Sequence, residues 1–421
     1  MIETQPPCGH TGGWIPVSRF GAKGDDAFME YELRNFSVKK GEFRRIMDFS
    51  EKYLFSLGLG DAAEEVGKEN AKLFIATMHS IQEALGYDRR AIVVGAPNFT
   101  FQTSPEKFRQ GIPEGARFAW GDGRYDFIPA DLSFDFCGML VGGVYDEPSL
   151  KDVLDTIHEM SEKEYEIDGM KVDKRRFRPG GHFLKLYEVE NRDLPDPPRV
   201  AVLHTSSDEM YRLLRGFVDE RCEEVKTPFG VRRILLDSDA REYRRRCEYA
   251  SKFSMEKRKL LFEEVFGGEV MANRNHYDLV GLNEAVIGCD IVDEGEVSIV
   301  SLPDRAYLVK GRRNLSPEKI KECPNLTSAE KWVYEYLLNL NIVPHGSGHK
   351  LLGVDKLVKV IFYPKGRVFL FRRDSRLEVY EDLWDAPRWF RGEGMLERIL
   401  SLGLADYYAH LKLLYTVKVD F

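Results

Sequence analysis

Helix-type and strand-type periodicities alternate along this 421-residue chain without the strand–helix–strand rhythm of a parallel sheet, which predicts an α+β fold. Over residues 39–86 apolar residues recur at helical spacing (Phe43, Ile46, Met47, Tyr53, Leu54, then Leu73, Phe74, Ile81), interrupted by Gly58-Leu59-Gly60, and two or three helices are expected. Short β-type runs follow, AIVVG and then YDFIPADLSFDFCGMLVGGV, between glycine-rich turns. An amphipathic helix is expected over 149–163, and PGGHFLKLYEVE and PPRVAVLHTSS alternate as strands. A helix over 238–266 precedes an irregular stretch to residue 296, then the strands SIVSLP and AYLVKG and a helix over 328–340. VDKLVKVIFYP and RVFLFRRD alternate again, and a helix near 395–402 leads to a last strand, LKLLYTVKV. We expect a largely helical segment of unknown role over 1–90 and a main domain over 91–421.

No stretch approaches the roughly 18 apolar residues that span a bilayer, and the start MIETQPPCGHTGG has no basic and apolar regions of a signal peptide. A cytoplasmic address is the default expectation. Six cysteines without CxxC pairs argue against a disulfide framework or a four-sulfur zinc site. The net charge of −8 excludes binding of nucleic acid by bulk electrostatics. An RNA ligand would need a local basic surface. The runs Lys174-Arg175-Arg176, Arg244-Arg245-Arg246 and Arg312-Arg313, or cations such as Arg178 and Lys350, offer one, although charge runs are usually solvated faces.

Four of the nine histidines stand beside small or polar residues at expected strand ends: His182 in PGGHF, His204 in LHTSS, His276 in NRNHYD and His345 in PHGSGHK. One such histidine is ordinarily a hydrogen-bonded structural residue. Four, with Asp135 and Cys137 in FDFC, make up the imidazole, carboxylate and thiolate set that suits a borderline divalent ion. The glycines of His345-Gly346-Ser347-Gly348 predict a flexible sharp turn that leaves the imidazole open to a ligand.

In order along the chain, FDFCG, GGHFLKLYEV, AVLHTSS, FSMEKR, NHYDLV, YLVKGRRN, PHGSGH and LKLLYTVKV resemble the successive signature segments of the RtcB RNA ligases, from about residue 125 to the end. The resemblance implies an RtcB-like mixed β core flanked by helices. It also implies joining of RNA 3′-phosphate or 2′,3′-cyclic phosphate ends, such as tRNA halves or broken RNA, to 5′-hydroxyl ends with GTP and two manganese ions. Asp135, Cys137, His182, His204 and His276 would hold the metals, with Cys137 as the bridge and His345 as the nucleophile that is guanylylated. Phe183, Gly346, Ser347, Gly348 and Lys418 would contact the nucleotide.

The chain departs from the family's pattern in several places. A single residue, Phe136, separates Asp135 from Cys137 where the family has two. Gly181 and Lys185 replace an asparagine and a glutamate, Ser206-Ser207-Asp208 replaces a glycine, serine and arginine, and Ser301-Leu302-Pro303-Asp304-Arg305 replaces a glycine and serine loop. GAPN, residues 95–98, stands where the family has a loop aspartate. Metal ligands are kept while nucleotide contacts are lost. Two alternatives therefore stand: a metal-dependent phosphoesterase or nucleotidyl enzyme acting on RNA ends, and a non-catalytic relative. Cys222, Cys247, Cys289 and Cys323 are expected to be small buried hydrophobes. For Lys257 and Arg258 an RNA or structural role and a surface salt bridge are both open.

Overall fold

The computed structural model describes residues 30–33, 40–172, 182–190, 197–321, 330–363, 366–381, 383, 386–392 and 394–418. Lys174-Arg175-Arg176, Arg178, Gly180, Gly181 and Cys323 lie outside the described residues.

The fold is α+β, as the mixed periodicities predict. Its centre is a seven-stranded antiparallel sheet in the order Glu269–Asn275, Gly138–Val144, Arg199–Thr205, Phe183–Val189, Ala405–Val417, Arg305–Gly311, Val297–Ser301. The sheet curls until its first and last strands approach, and Arg274 on the first donates from Nη1 to the Val297 carbonyl on the last at 2.6 Å. Strand alternation divides its side chains. Met139, Val141, Tyr187, Val200, Val202, Leu308 and Leu411 fill the inside, while Leu140, Leu184, Leu186, Ala201 and Leu203 face outward and pack under helices Leu150–Glu162 and Asp237–Phe266. The first of these helices starts where a capping box forms between Ser149 and Asp152.

A five-stranded sheet runs Tyr277–Gly281, Glu284–Ile287, Glu114–Ala119, Ile92–Thr100, Leu54–Ser56. Helix Ala62–Ala84, buried along most of its length, covers it. The boundary expected at residue 90 is crossed by this sheet, because Leu54–Ser56 pairs in parallel with Ile92–Thr100. A four-stranded sheet (Glu30–Leu33, Lys356–Tyr363, Gly366–Arg373, Arg376–Tyr380) shares a second core with helix Lys40–Glu51 through Phe43, Met47 and Phe362. Among the described residues no helix is long and apolar enough to cross a membrane.

Two expectations need correction. The stretch before residue 296 is not irregular; it forms strands Glu269–Asn275, Tyr277–Gly281, Glu284–Ile287 and Cys289–Ile291, whose polar side chains hide the alternation. The strand expected in PPRVAVLHTSS stops at Thr205, and Ser207 is the N-cap of an unexpected helix, Asp208–Arg221.

Candidate metal centre

The antiparallel order brings the alternating C- and N-terminal ends of four adjacent strands to one rim of the curled sheet. Cys137 precedes the strand Gly138–Val144, His204 lies one residue from the end of Arg199–Thr205, His182 precedes Phe183–Val189 and His276 follows Glu269–Asn275. Residues spread over 140 positions of sequence thus meet because each sits at a strand terminus.

They meet closely. Cys137 Sγ lies 3.1 Å from His182 Nε2 and 3.0 Å from His204 Nε2, and His204 Nε2 lies 3.1 Å from His276 Nε2. The ligating atoms of Cys137, His204 and His276 are all within 4.8 Å of one another and buried. Each ring nitrogen offers one proton or one lone pair. Satisfying all three contacts by hydrogen bonds alone would make the one proton or the one lone pair of His204 Nε2 serve two partners, whereas a divalent ion accepts every lone pair at once. The donor set therefore fits a metal, with Cys137 flanked by imidazoles as a bridging ligand would be. Asp135 stands outside this tight group, and its Oδ1 accepts the Cys137 backbone N–H at 3.2 Å. Burial, and then Asp135, raise the Cys137 thiol well above its usual range, so metal binding must displace a proton.

The one-residue spacing between Asp135 and Cys137 is accommodated by backbone geometry. Phe136 is buried with φ +53°, a left-handed conformation that costs a non-glycine residue about 1–2 kcal/mol. Its carbonyl is gripped by Ser254 Oγ at 2.8 Å and Arg258 Nη1 at 3.3 Å. Gly138 is required next, because a Cβ there would lie 2.2 Å from the Arg274 carbonyl. Arg258 is fully buried and Lys257 nearly so, paired with Glu209 at 2.9 Å, which removes the surface salt-bridge reading. The Arg258 guanidinium reaches the Phe136 carbonyl, the Thr205 carbonyl at 3.3 Å and the Asn275 side chain. Each neighbours one member of the cluster: Cys137, His204 and His276.

His345 joins the group from the other sheet system. Strand Ile342–Pro344 pairs with Cys289–Ile291, Pro344 opposite Cys289, so His345 arrives beside Gly288. Its Nδ1 lies 2.8 Å from the Gly288 carbonyl. A carbonyl only accepts, so Nδ1 carries the proton and Nε2 keeps the lone pair. Burial lowers the His345 pKa to about 4, which leaves the ring neutral. The ring stacks on His276 with centroids 3.8 Å apart and lies 5.9 Å from the His204 ring. The Gly-Ser-Gly turn is not the flexible loop expected. Ser301 N–H donates to the His345 carbonyl at 3.1 Å, Arg391 N–H to the Gly348 carbonyl at 3.1 Å, and Ser347 is buried. Gly348 has φ +63° and packs against the Asn98 carbonyl, where a Cβ would meet the oxygen at 2.4 Å. Asn98, of GAPN, donates its Nδ2 to the same Gly288 carbonyl at 2.7 Å.

Phe183 lies at the rim with its ring 5.1 Å from that of His204, and Lys418 is exposed beyond strand Ala405–Val417. Lys350 is exposed on strand His349–Leu351. Arg245 and Arg246 lie on a solvated helix face, paired with Glu242, whereas Arg244 is half-buried, paired with Glu248 and donating to the Val280 carbonyl at 3.1 Å; Arg312 pairs with Asp406. Cys247 and Cys289 are buried, while Cys222 is half-buried and accepts a hydrogen bond from Arg233.

Sequence reading missed two acids. Glu114 accepts the Tyr277 hydroxyl and is raised to about 7, by burial first, with Asp135 adding to the effect. Asp290 lies behind His276, with 3.8 Å between its Oδ1 and the ring Nδ1, and burial raises it to about 6. Adjacency of Tyr277 to His276 was the one available signal; nothing in the sequence marks Glu114.

The chain matches no protein-family model and no curated protein.

Proposed function

We propose that this chain is a GTP- and manganese-dependent RNA ligase of the RtcB type, joining 3′-phosphate or 2′,3′-cyclic phosphate ends to 5′-hydroxyl ends through a guanylylated His345. The observation that carries this reading is the tautomer of His345. Its Nδ1 proton is committed to Gly288, and its Nε2 lone pair sits beside a cysteine–histidine cluster suited to divalent ions.

On this reading Cys137, His204, His276 and His182, with Asp135 alongside, would hold two manganese ions, which would supply charge neutralisation for the phosphates. His345 Nε2 attacks the α-phosphorus of GTP, a nitrogen–phosphorus bond forms and pyrophosphate departs. The proton stays on Nδ1, and the Gly288 carbonyl that accepts it stabilises the positive charge developing on the ring. An RNA 3′-phosphate oxygen then displaces the histidine from the GMP group, and the 5′-hydroxyl of the second RNA displaces GMP. RNA, as tRNA halves or broken ends, is the partner and the cytoplasm the site of action.

A ligation assay tests the reading. RNA with a 3′-phosphate and RNA with a 5′-hydroxyl should be joined in the presence of manganese and GTP, and His345→Ala should abolish joining. Opening of a cyclic phosphate without joining would select the phosphoesterase reading; no reaction with metal bound would select the non-catalytic one.

A further inference from the structure

Lys185 stands inside the mouth of the seven-stranded sheet and is 6% exposed. It shares a face with Phe183 and Tyr187, its Nζ 4.6 Å from the first ring centroid and 5.9 Å from the second. It donates to the Leu302 carbonyl at 3.2 Å, which satisfies one of the three donors of an ammonium. Among the described residues no carboxylate lies within ion-pair distance of it; Asp304, on the same hairpin turn as Leu302, is engaged by Arg305 at 2.9 Å. A second cation stands next to it. Thr416 is the register partner of Lys185 across strand Ala405–Val417, and Lys418, two residues on, belongs to the same face. Burial, and then Lys418, hold the Lys185 ammonium down to about 8 against the opposing attraction of Asp304.

Buried charges in proteins are paired or bind an ion, because an isolated one is costly. Here two cations converge at the rim that carries His345, and Asp304, the acid that attracts Lys185, is held in an ion pair by Arg305 instead. The same hairpin turn holds both groups, since Ser301 N–H bonds the His345 carbonyl and the next carbonyl, Leu302, takes Lys185.

We propose that Lys185 and Lys418 form an oxyanion subsite beside the metal centre, built for a phosphate-type group. The polyphosphate tail of a nucleotide and the terminal phosphate of an RNA share that chemistry. This inference rests on the charges alone and holds whether or not His345 is guanylylated.

The test is calorimetric titration of inorganic pyrophosphate into the whole chain, stripped with EDTA so that the metal centre cannot bind the anion. A parallel arm compares a 3′-phosphorylated oligoribonucleotide with its 3′-hydroxyl counterpart. Saturable binding is expected, weakened about tenfold or more by Lys185→Met and by Lys418→Ala. Tighter pyrophosphate than 3′-phosphate binding assigns the site to a nucleotide tail, and the reverse order assigns it to an RNA end. Lys185→Met should also raise the melting temperature of the ligand-free protein, because it removes a buried charge that has no ion-pair partner among the described residues; a merely structural lysine would lower it. Lys418, being exposed, is replaceable without disturbing the fold. Absence of binding by the metal-free protein, or equal binding by the wild type and Lys418→Ala, would overturn the proposal.

Discussion

His345 and His276 lie face to face, their ring centroids 3.8 Å apart and their planes 7° from parallel. Two imidazoles this close resist protonation of either, and burial already lowers both, His345 to about 4 and His276 well below its usual value. The Nε2 of His345 is thereby kept as a base across the physiological range.

That neutrality has a kinetic signature. The nucleophilic form exists above the folded pKa, so attack by His345 should be independent of its own titration from about pH 5 upward and fall only toward pH 4. Single-turnover rates measured across pH check this. A limb near the ordinary histidine value of about 6.5 that is traceable to His345 would contradict it.

Arg258 should control metal binding without touching a metal. Arg258→Met leaves the Thr205 carbonyl and the Asn275 side-chain oxygen without this donor, and the Phe136 carbonyl with Ser254 Oγ alone, at an expected cost of about 3 kcal/mol or more. It should also weaken manganese binding, because all three cluster segments lose their common anchor. Denaturant unfolding and elemental analysis after manganese dialysis measure the two effects. Full stability with unchanged metal content would show that Arg258 does not organise the site.

Glu114 gives a pH effect on stability whose sign follows from its raised pKa. The folded protein holds the carboxyl proton up to about pH 7 while the unfolded chain releases it near 4.5. Its contribution is fully present below about 4.5 and is lost as pH rises toward 7. In the metal-free protein, unfolding free energy should therefore decline across that window, and Glu114→Gln should decline less. Parallel pH profiles for the two proteins would refute the assignment.

Metal uptake should release protons. The Cys137 thiol is raised well above its usual range, so manganese affinity should climb with pH, approaching tenfold per unit for one displaced proton. Cys137→Ala should lose both the pH dependence and most of the metal, about two ions per chain in the wild type on the proposed reading. A Cys137→Ala protein that binds manganese like the wild type would rule out the thiolate as a ligand.

Much of the site was legible because strand alternation leads to histidines beside small residues, and a strand end is where a side chain can leave the sheet. The helix Leu150–Glu162 was likewise legible, from its amphipathic periodicity. The remainder depends on distant pairings. The strands between Glu269 and Ile291 read as irregular because Asn273 and Asn275 serve Arg258 instead of an apolar face. The turn after His345 looked mobile, yet Arg391, beside it, is locked to Asp61, 330 residues away, by two 2.7 Å bonds. Glu114 meets Tyr277 across 163 residues, and no local pattern announces such a pair.

The central claim is that His345 is a nucleophile toward a nucleotide. Its most direct test is incubation of the manganese-loaded protein with GTP labelled at the α-phosphate, with α-labelled ATP in parallel, followed by denaturation and recovery of the chain. The account predicts an acid-labile, base-stable label from GTP that is absent in His345→Ala, as a phosphoramidate on imidazole requires. Labelling by ATP alone would keep the mechanism and change the nucleotide. A metal-loaded protein that takes label from neither nucleotide, or a His345→Ala variant that labels like the wild type, would contradict it.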